Sequence, residues 1–179
     1  MKTKIAILSI ALTMLYAFPS VAQTLMPTDI IPVADASVGT AEYSYKIEQN
    51  GMVFSLSLSA DGTVLYVALD APASGWVAVG LGSRKMNGAF MVLGYDDKGA
   101  TAISEETGKG HRHTANDRQI LTSQAVKEQN GHTVLEFSVP VAPYIKDGKI
   151  DALFAWSKRD KFSAMHSKYA ATTVPVATP

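Results

Sequence analysis

Residues 75–95 read GWVAVGLGSRKMNGAFMVLGY, two short apolar runs joined by a polar turn with glycines near its ends. We predict that the runs, 76–81 and 89–95, are neighbouring strands, because both are apolar on both faces as central strands of a sandwich are. Met86 lies in the turn between them. A thioether among turn-forming residues is either a loose hydrophobic anchor for the loop or a soft ligand held over a pocket.

Short alternating apolar runs separated by turn residues continue on both sides of this stretch. In one of them Phe54, Leu56 and Leu58 alternate with serines, which predicts a strand with one core face and one solvent face. The even spacing of the runs predicts a β-sandwich or barrel, and no helical pattern of useful length is found. The predicted strands are 43–48, 53–59, 63–70, 76–81, 89–95, 120–128, 132–139, 150–156 and 162–171, with a weak one at 100–104.

Three segments lack a strand pattern. Residues 23–41 contain two prolines and little periodicity, so we expect an extended lead-in. Residues 105–118 are the longest polar stretch and are predicted to be a loop, which at this length is more often functional than not. From residue 172 onward we expect a fraying end.

The first 22 residues predict export. Lys2 and Lys4 precede an apolar run over residues 5–18, and Ser20-Val21-Ala22 has the small residues of a cleavage site. The run is shorter than the ~20 residues that cross a bilayer, so a signal peptide is the better interpretation. The predicted organisation is therefore a signal peptide at 1–22, a lead-in at 23–41, a sandwich domain at 42–174 and a tail at 175–179, in a periplasmic or secreted protein without stable membrane insertion.

Composition excludes several classes of function. Removing 22 of 179 residues leaves 157, with 14 basic and 16 acidic side chains, and this balance argues against nucleic acid as a partner. The chain has no cysteine, which rules out disulfides, zinc–thiolate sites, iron–sulfur clusters and covalent c-type haem. No G-x-S-x-G elbow or catalytic carboxylate pair occurs, so we expect a protein that is not an enzyme.

Histidine is scarce enough to be informative, with four in the chain. His111 and His113 form an H-x-H pair that could reach one metal from an extended segment, although a solvated loop explains them as well. His132 is expected to face solvent beside a turn. His166 lies in the last predicted strand, where a structural role and a ligand role are equally open.

The residues around Met86 resemble the DOMON domain family. The resemblance rests on G-W-V-A-V-G-L-G, a polar turn with M-N-G-A, a strand ending in G-Y-D, and A-W-S followed by a histidine ten residues after Trp156. It covers residues 43–174 and implies an all-β, immunoglobulin-like β-sandwich of about ten antiparallel strands.

The resemblance also implies a cofactor. Some family members, such as the cytochrome domain of cellobiose dehydrogenase, hold noncovalent haem b between a methionine and a histidine, which correspond here to Met86 and His166. The haem subunit of ethylbenzene dehydrogenase uses a lysine in place of the histidine, so Lys158, Lys161 and Lys168 remain possible substitutes. Such an axial pair leaves the iron no open position, which implies one-electron transfer to a redox partner protein.

Other side chains have weaker assignments. Trp76 and Trp156 are expected to pack as core or pocket wall. Arg84 and Lys85 precede Met86 and could pair with haem propionates or be merely solvated. Two other functions stay open: a haem-free carbohydrate-binding or adhesion module, and a copper protein that uses His111, His113 and the methionines.

Overall fold

The computed structural model describes residues 23–177. The predicted signal peptide at 1–22 and the last two residues lie outside the described part. Within residues 23–177, no helix is long and apolar enough to cross a membrane.

The described chain forms thirteen strands and one short 3-10 turn at Ala142–Tyr144. Four hairpins turn at two successive residues that both have a positive φ, as at Asn50 and Gly51 (54° and 77°). The strands are β1 (Pro27–Thr28), β2 (Tyr45–Gln49), β3 (Met52–Ser59), β4 (Val64–Ala71), β5 (Val77–Leu81), β6 (Phe90–Asp97), β7 (Ala100–Lys109), β8 (Arg112–Ala115), β9 (Ser123–Gln129), β10 (His132–Pro140), β11 (Ile145–Lys146), β12 (Lys149–Trp156) and β13 (Lys168–Pro175).

Two sheets make a sandwich, as the sequence predicts. The first has the order β1-β3-β4-β10-β9 with β2 also paired to β3, and the second has the order β11-β12-β5-β6-β7-β8 with β13 also paired to β12. Every strand pairing is antiparallel except that of β1 with β3. The two central predicted strands, β5 and β6, are neighbours in the second sheet, and the turn that contains Met86 joins them.

The main core lies between the sheets. Phe54 of the first sheet stacks on Phe154 of the second with ring centroids 4.9 Å apart, and both side chains are buried. Side chains at alternate positions of both sheets extend this core, which is the expected arrangement of a sandwich.

The outer face of the first sheet is covered, which the sequence did not predict. Ser55 and Ser57 are buried and do not face solvent. Ser57 Oγ accepts a hydrogen bond of 2.9 Å from the backbone N–H of Ser44, in the segment that leads into β2. The lead-in also packs over this face, since the N–H groups of Asp35 and Ser37 donate to the buried carboxylate of Glu136, and its strand β1 adds to the sheet edge.

Three predicted boundaries are wrong. The polar stretch 105–118 contains the end of β7 and all of β8, joined by a tight turn at Gly110. The predicted strand at 162–171 begins only at Lys168, so residues 162–167 belong to a loop. The expected fraying from residue 172 does not occur, because Val174 is fully buried in β13 and Val176 bridges Leu25.

Candidate functional site

A second apolar cluster covers the outer face of the second sheet. Its buried members alternate along β5, β6 and β12, so they point away from the main core. Three of its seven buried members are alanines. We call it the outer cluster; its buried members are Trp76, Ala78, Ala89, Met91, Leu93, Leu153 and Ala155, with Met86, Tyr95, Phe162, Ala164 and Ala171 packed partly buried against it.

Met86 reaches this face from the loop at residues 82–89, here the Met86 loop. Its side chain is half-buried against the outer cluster. A turn orders the backbone, since the N–H of Ala89 donates to the carbonyl of Met86 at 3.1 Å. The loop is also tied to β7, because the N–H of Gly88 donates to the carbonyl of Gly108 at 2.9 Å. Met86 thus stands where the sequence expects it, in the turn after β5.

His166 lies in a loop at residues 157–167, here the His166 loop, and not on a strand. The last strand starts later because the polypeptide first turns over the outer cluster, where Phe162 packs on Tyr95 with centroids 5.0 Å apart. The His166 ring is half-buried, with its centroid 5.1 Å from that of Tyr169 in an edge-on arrangement. Its neighbour Met165 is 86% exposed.

The two loops approach the outer cluster from opposite ends of the sheet. β5 and β12 are antiparallel, with Leu81 opposite Ala152 and Val77 opposite Trp156. The Met86 loop follows Leu81, and the His166 loop follows Trp156. Four residues of strand span about 13 Å, so the two loops rise about that far apart along one face. Both loops cover this apolar surface, the first through Met86 and the second through Phe162 and Ala164.

The two tryptophans lie on different sides of the second sheet. Trp76 belongs to the outer cluster and Trp156 to the main core. Both indole N–H groups are buried without a hydrogen-bond partner among the described residues. A buried N–H without a partner is uncommon, so Trp76 offers one unused donor at the site.

The basic residues predicted near the site are exposed. Arg84 and Lys85 lie in the Met86 loop, and Lys158, Lys161 and Lys168 lie in or next to the His166 loop. A cavity of about 300 Å³ opens beside the His166 loop, with Lys158 in its wall. Neither that cavity nor a second one near Leu58 includes Met86 or His166 in its wall.

The two histidines of the H-x-H pair have different surroundings. His111 is exposed in the turn after Gly110, while His113 in β8 binds the buried carboxylate of Glu106 through Nδ1. Ser104 Oγ donates a further hydrogen bond of 2.9 Å to the same carboxylate. In residues 23–177, no three histidine or carboxylate side chains converge to hold a metal ion. His132 is exposed, as expected, and pairs with Asp70 at 2.7 Å.

Sequence reasoning missed Gly75, Gly108 and the Glu106–His113 pair. Gly108 and Gly75 each contact the backbone of one of the two loops, with no room for a side chain. Neither glycine has a positive φ, so turn chemistry does not explain them. Glu106 lies in the polar stretch 105–118, which the sequence predicts to be a loop, and only its position on β7 buries it.

This architecture is a two-sheet β-sandwich in which two loops, carrying Met86 and His166, cover one outer face. Residues 48–165 match the model of the DOMON domain family, and the chain belongs to that family. Comparison with curated protein sequences returned no relative. The family match ends just before His166.

Two solved structures show the same fold. One is the cytochrome b domain of pyranose dehydrogenase from Coprinopsis cinerea, with a TM-score of 0.60 and 17% identity over 74% of this chain and 81% of that one. The other is the cytochrome domain of cellobiose dehydrogenase from Myriococcum thermophilum, with a TM-score of 0.56 and 12% identity over the same shares. These likenesses confirm the predicted DOMON sandwich.

Proposed function

We propose that this protein binds haem b noncovalently through Met86 and His166 and transfers single electrons without catalysing a reaction. The observation that carries the proposal is the placement of one thioether and one imidazole on two loops that flank the same outer cluster. The likeness in fold to two cytochrome domains supports it.

The donor set suits haem. Met86 and His166 would hold the iron through a thioether and an imidazole, and a haem held by this pair would supply one-electron transfer in place of oxygen or substrate binding. The zero cysteine count leaves noncovalent attachment as the available mode. The apolar lining formed by residues such as Ala78 and Leu153 excludes water and favours a macrocycle. Trp76 would wall the site, and Arg84 and Lys85 would face its solvent edge, where propionates need cations.

Absorption spectra of the purified protein test the proposal. Protein from a haem-sufficient host, or apoprotein titrated with hemin, should show the sharp reduced-state bands of six-coordinate haem. Met86→Ala should give five-coordinate haem with loss of the thioether–iron band. His166→Ala should lose most of the hemin affinity, because the imidazole is the stronger ligand.

Matched variants separate ligation from general damage. Met165→Ala removes the exposed methionine next to His166, and His111→Ala removes an exposed imidazole from the turn between β7 and β8. Both should retain the wild-type spectrum. Protein that stays colourless with hemin would overturn the haem proposal, and an unchanged spectrum in Met86→Ala would overturn the ligand assignment. A His166→Ala variant rescued by a neighbouring base would point to Lys158, Lys161 or Lys168.

One observation favours a second candidate, a haem-free ligand-binding module. Met86 and Phe162 pack directly on the outer cluster, so a planar ligand would have to lift both side chains. A protein that refuses hemin but binds oligosaccharides would establish this alternative. The copper hypothesis gains no such support from the described residues.

We further propose that the protein acts outside the cytoplasm with a redox partner protein. The signal-peptide pattern supports export. An electron carrier whose iron has no open position needs a second protein to deliver or accept its electron. Secretion of a tagged full-length chain, with the tag appearing in the cell exterior or periplasm, tests the location.

A further inference from the structure

Gly108 lies directly against the backbone of Met86. A methyl group added at Gly108 would be 2.7 Å from the Met86 carbonyl carbon and 3.0 Å from its Cγ, and closer still to its carbonyl oxygen. Backbone atoms cannot yield to such a contact as a flexible side chain can. Only glycine at residue 108 therefore allows the Met86 loop to lie this close to β7.

Hydrogen bonds hold the loop in the same place. The N–H of Gly108 donates to the carbonyl of Ala89 at 3.0 Å, and Gly88 donates to the carbonyl of Gly108 at 2.9 Å. The N–H of Gly110 donates to Asn87 Oδ1 at 2.8 Å. The β7–β8 hairpin thus fixes the residues on both sides of Met86.

Gly75 has the same relationship to the other loop. A methyl group at Gly75 would be 2.6 Å from the carbonyl carbon of Lys158 and 2.7 Å from the carbonyl oxygen of Ser157. Backbone hydrogen bonds flank this contact as well. The backbone N–H of Ser157 donates to the carbonyl of Trp76 at 2.8 Å, and the backbone N–H of Trp76 donates to the carbonyl of Arg159 at 3.2 Å. The base of the His166 loop is therefore fixed by a second glycine.

We infer that Gly108 and Gly75 are positioning residues that set the spacing between the Met86 thioether and the His166 imidazole. Each glycine lets the backbone of one loop lie close to the sheet, and the two loops carry Met86 and His166 from opposite ends of the outer cluster. A side chain at either position would lift only its own loop. The effect of the glycines on haem ligation rests on the proposed function. Their effect on the placement of Met86 rests on the backbone contacts alone.

Two alanine variants test the inference in hemin-loaded full-length protein. Gly108→Ala should lose the thioether–iron band while the imidazole stays bound, which gives five-coordinate haem. Gly75→Ala should keep Met86 in place but displace His166, with loss of hemin affinity. The two variants therefore fail at opposite axial positions, which a general loss of stability would not produce.

Gly94→Ala is the matched control. Its added methyl group would be 3.0 Å from Leu135 Cδ1 and 3.1 Å from Val126 Cγ2, inside the main core. It should lower the melting temperature yet leave the haem spectrum unchanged. If Gly108→Ala keeps the six-coordinate thioether spectrum, or if Gly94→Ala loses it equally, the inference is overturned.

A measurement without haem separates this inference from the proposed function. The Met86 methyl resonance of the apoprotein, assigned with Met86→Leu, should shift in Gly108→Ala and stay in place in Gly94→Ala. An unmoved resonance in Gly108→Ala would refute the positioning role even if the wild type takes up no hemin. Where an alanine variant does not fold, two milder variants replace it. Asn87→Ala removes the hydrogen bond from Gly110 to the Met86 loop. Ser157→Ala removes the 3.1 Å hydrogen bond to the Met165 carbonyl in the His166 loop. They should weaken the matching ligand, and full retention of both ligands would contradict the inference.

Discussion

Tyr43 Oη donates a hydrogen bond of 2.7 Å to Oε1 of Glu136, a carboxylate that is fully buried on the outer face of the first sheet. The backbone N–H groups of Asp35 and Ser37 donate to the other carboxylate oxygen at 3.2 and 3.1 Å. One buried carboxylate thus fastens the lead-in to a strand about a hundred residues further along the chain.

Removing the hydroxyl from this arrangement should destabilise the fold. Tyr43→Phe leaves Glu136 Oε1 without its donor, and a buried group that loses its partner costs about 1–3 kcal/mol. Urea denaturation should show that decrease in the free energy of unfolding. Tyr169→Phe, at a 61% exposed residue, should change it by less than about 0.5 kcal/mol. Equal effects of the two variants would contradict the assignment.

The same carboxylate should make stability depend on pH. Burial raises the pKa of Glu136 above its ordinary value of 4.5, although hydrogen bonds from Tyr43 and the lead-in act against the rise. The folded state then holds the proton more tightly than the unfolded state, so the contribution is fully present below pH 4.5 and is lost as the pH rises through the folded-state pKa. The unfolding free energy of wild type minus that of Glu136→Gln should therefore fall as the pH rises through the folded-state pKa of Glu136. A difference that stays constant or increases with pH would show that the pKa of Glu136 is not raised in the folded state.

His113 and His111 should differ sharply in their effect on stability. His113→Ala removes the ring that binds the buried carboxylate of Glu106 and leaves it with Ser104, at a cost of about 1–3 kcal/mol. His111→Ala, in the exposed turn, should be within about 0.5 kcal/mol of wild type. Chemical denaturation of both variants measures this contrast. If His113→Ala leaves the free energy of unfolding unchanged, the Glu106–His113 pair contributes nothing to stability.

The two tryptophans should report where haem binds. Trp76 lies in the outer cluster and Trp156 in the main core, so hemin should shift the indole N–H resonance of Trp76 far more than that of Trp156. Heteronuclear NMR spectra of apoprotein and hemin-loaded protein give both shifts, with Trp156→Phe for assignment. A larger shift at Trp156 would place the cofactor away from the outer cluster.

Much of the fold follows from local pattern. The bounds of β3, β4 and β10 agree with the prediction to within one residue, because alternating apolar positions and turns such as Asn130-Gly131 both act over short stretches. The prediction failed where the pattern is polar. β8 consists of Arg112–Ala115 and forms a strand only because it pairs with β7, a tertiary interaction without a local signal.

The candidate site divides in the same way. The turn between β5 and β6 could be predicted from its glycines and polar residues, and Met86 lies in it. The loop position of His166 could not, because Phe162 leaves the strand pattern only to pack on Tyr95 across the sheet. The glycines of the turn itself, Gly82 and Gly88, are visible in the local sequence. Gly108, from another strand, is the one that leaves no room for a side chain against Met86.

By itself the sequence determined the strands, the hairpin turns and the chemistry of the ligand candidates, because alternation, φ preference and side-chain type are local properties. Only the tertiary structure decided that the Met86 and His166 loops cover the same face and that Glu136 is buried. It also decided that Gly75 and Gly108 lie against the backbone of these loops. These features depend on contacts between residues far apart in the chain, and the free energy of such contacts has no counterpart in a short stretch of sequence.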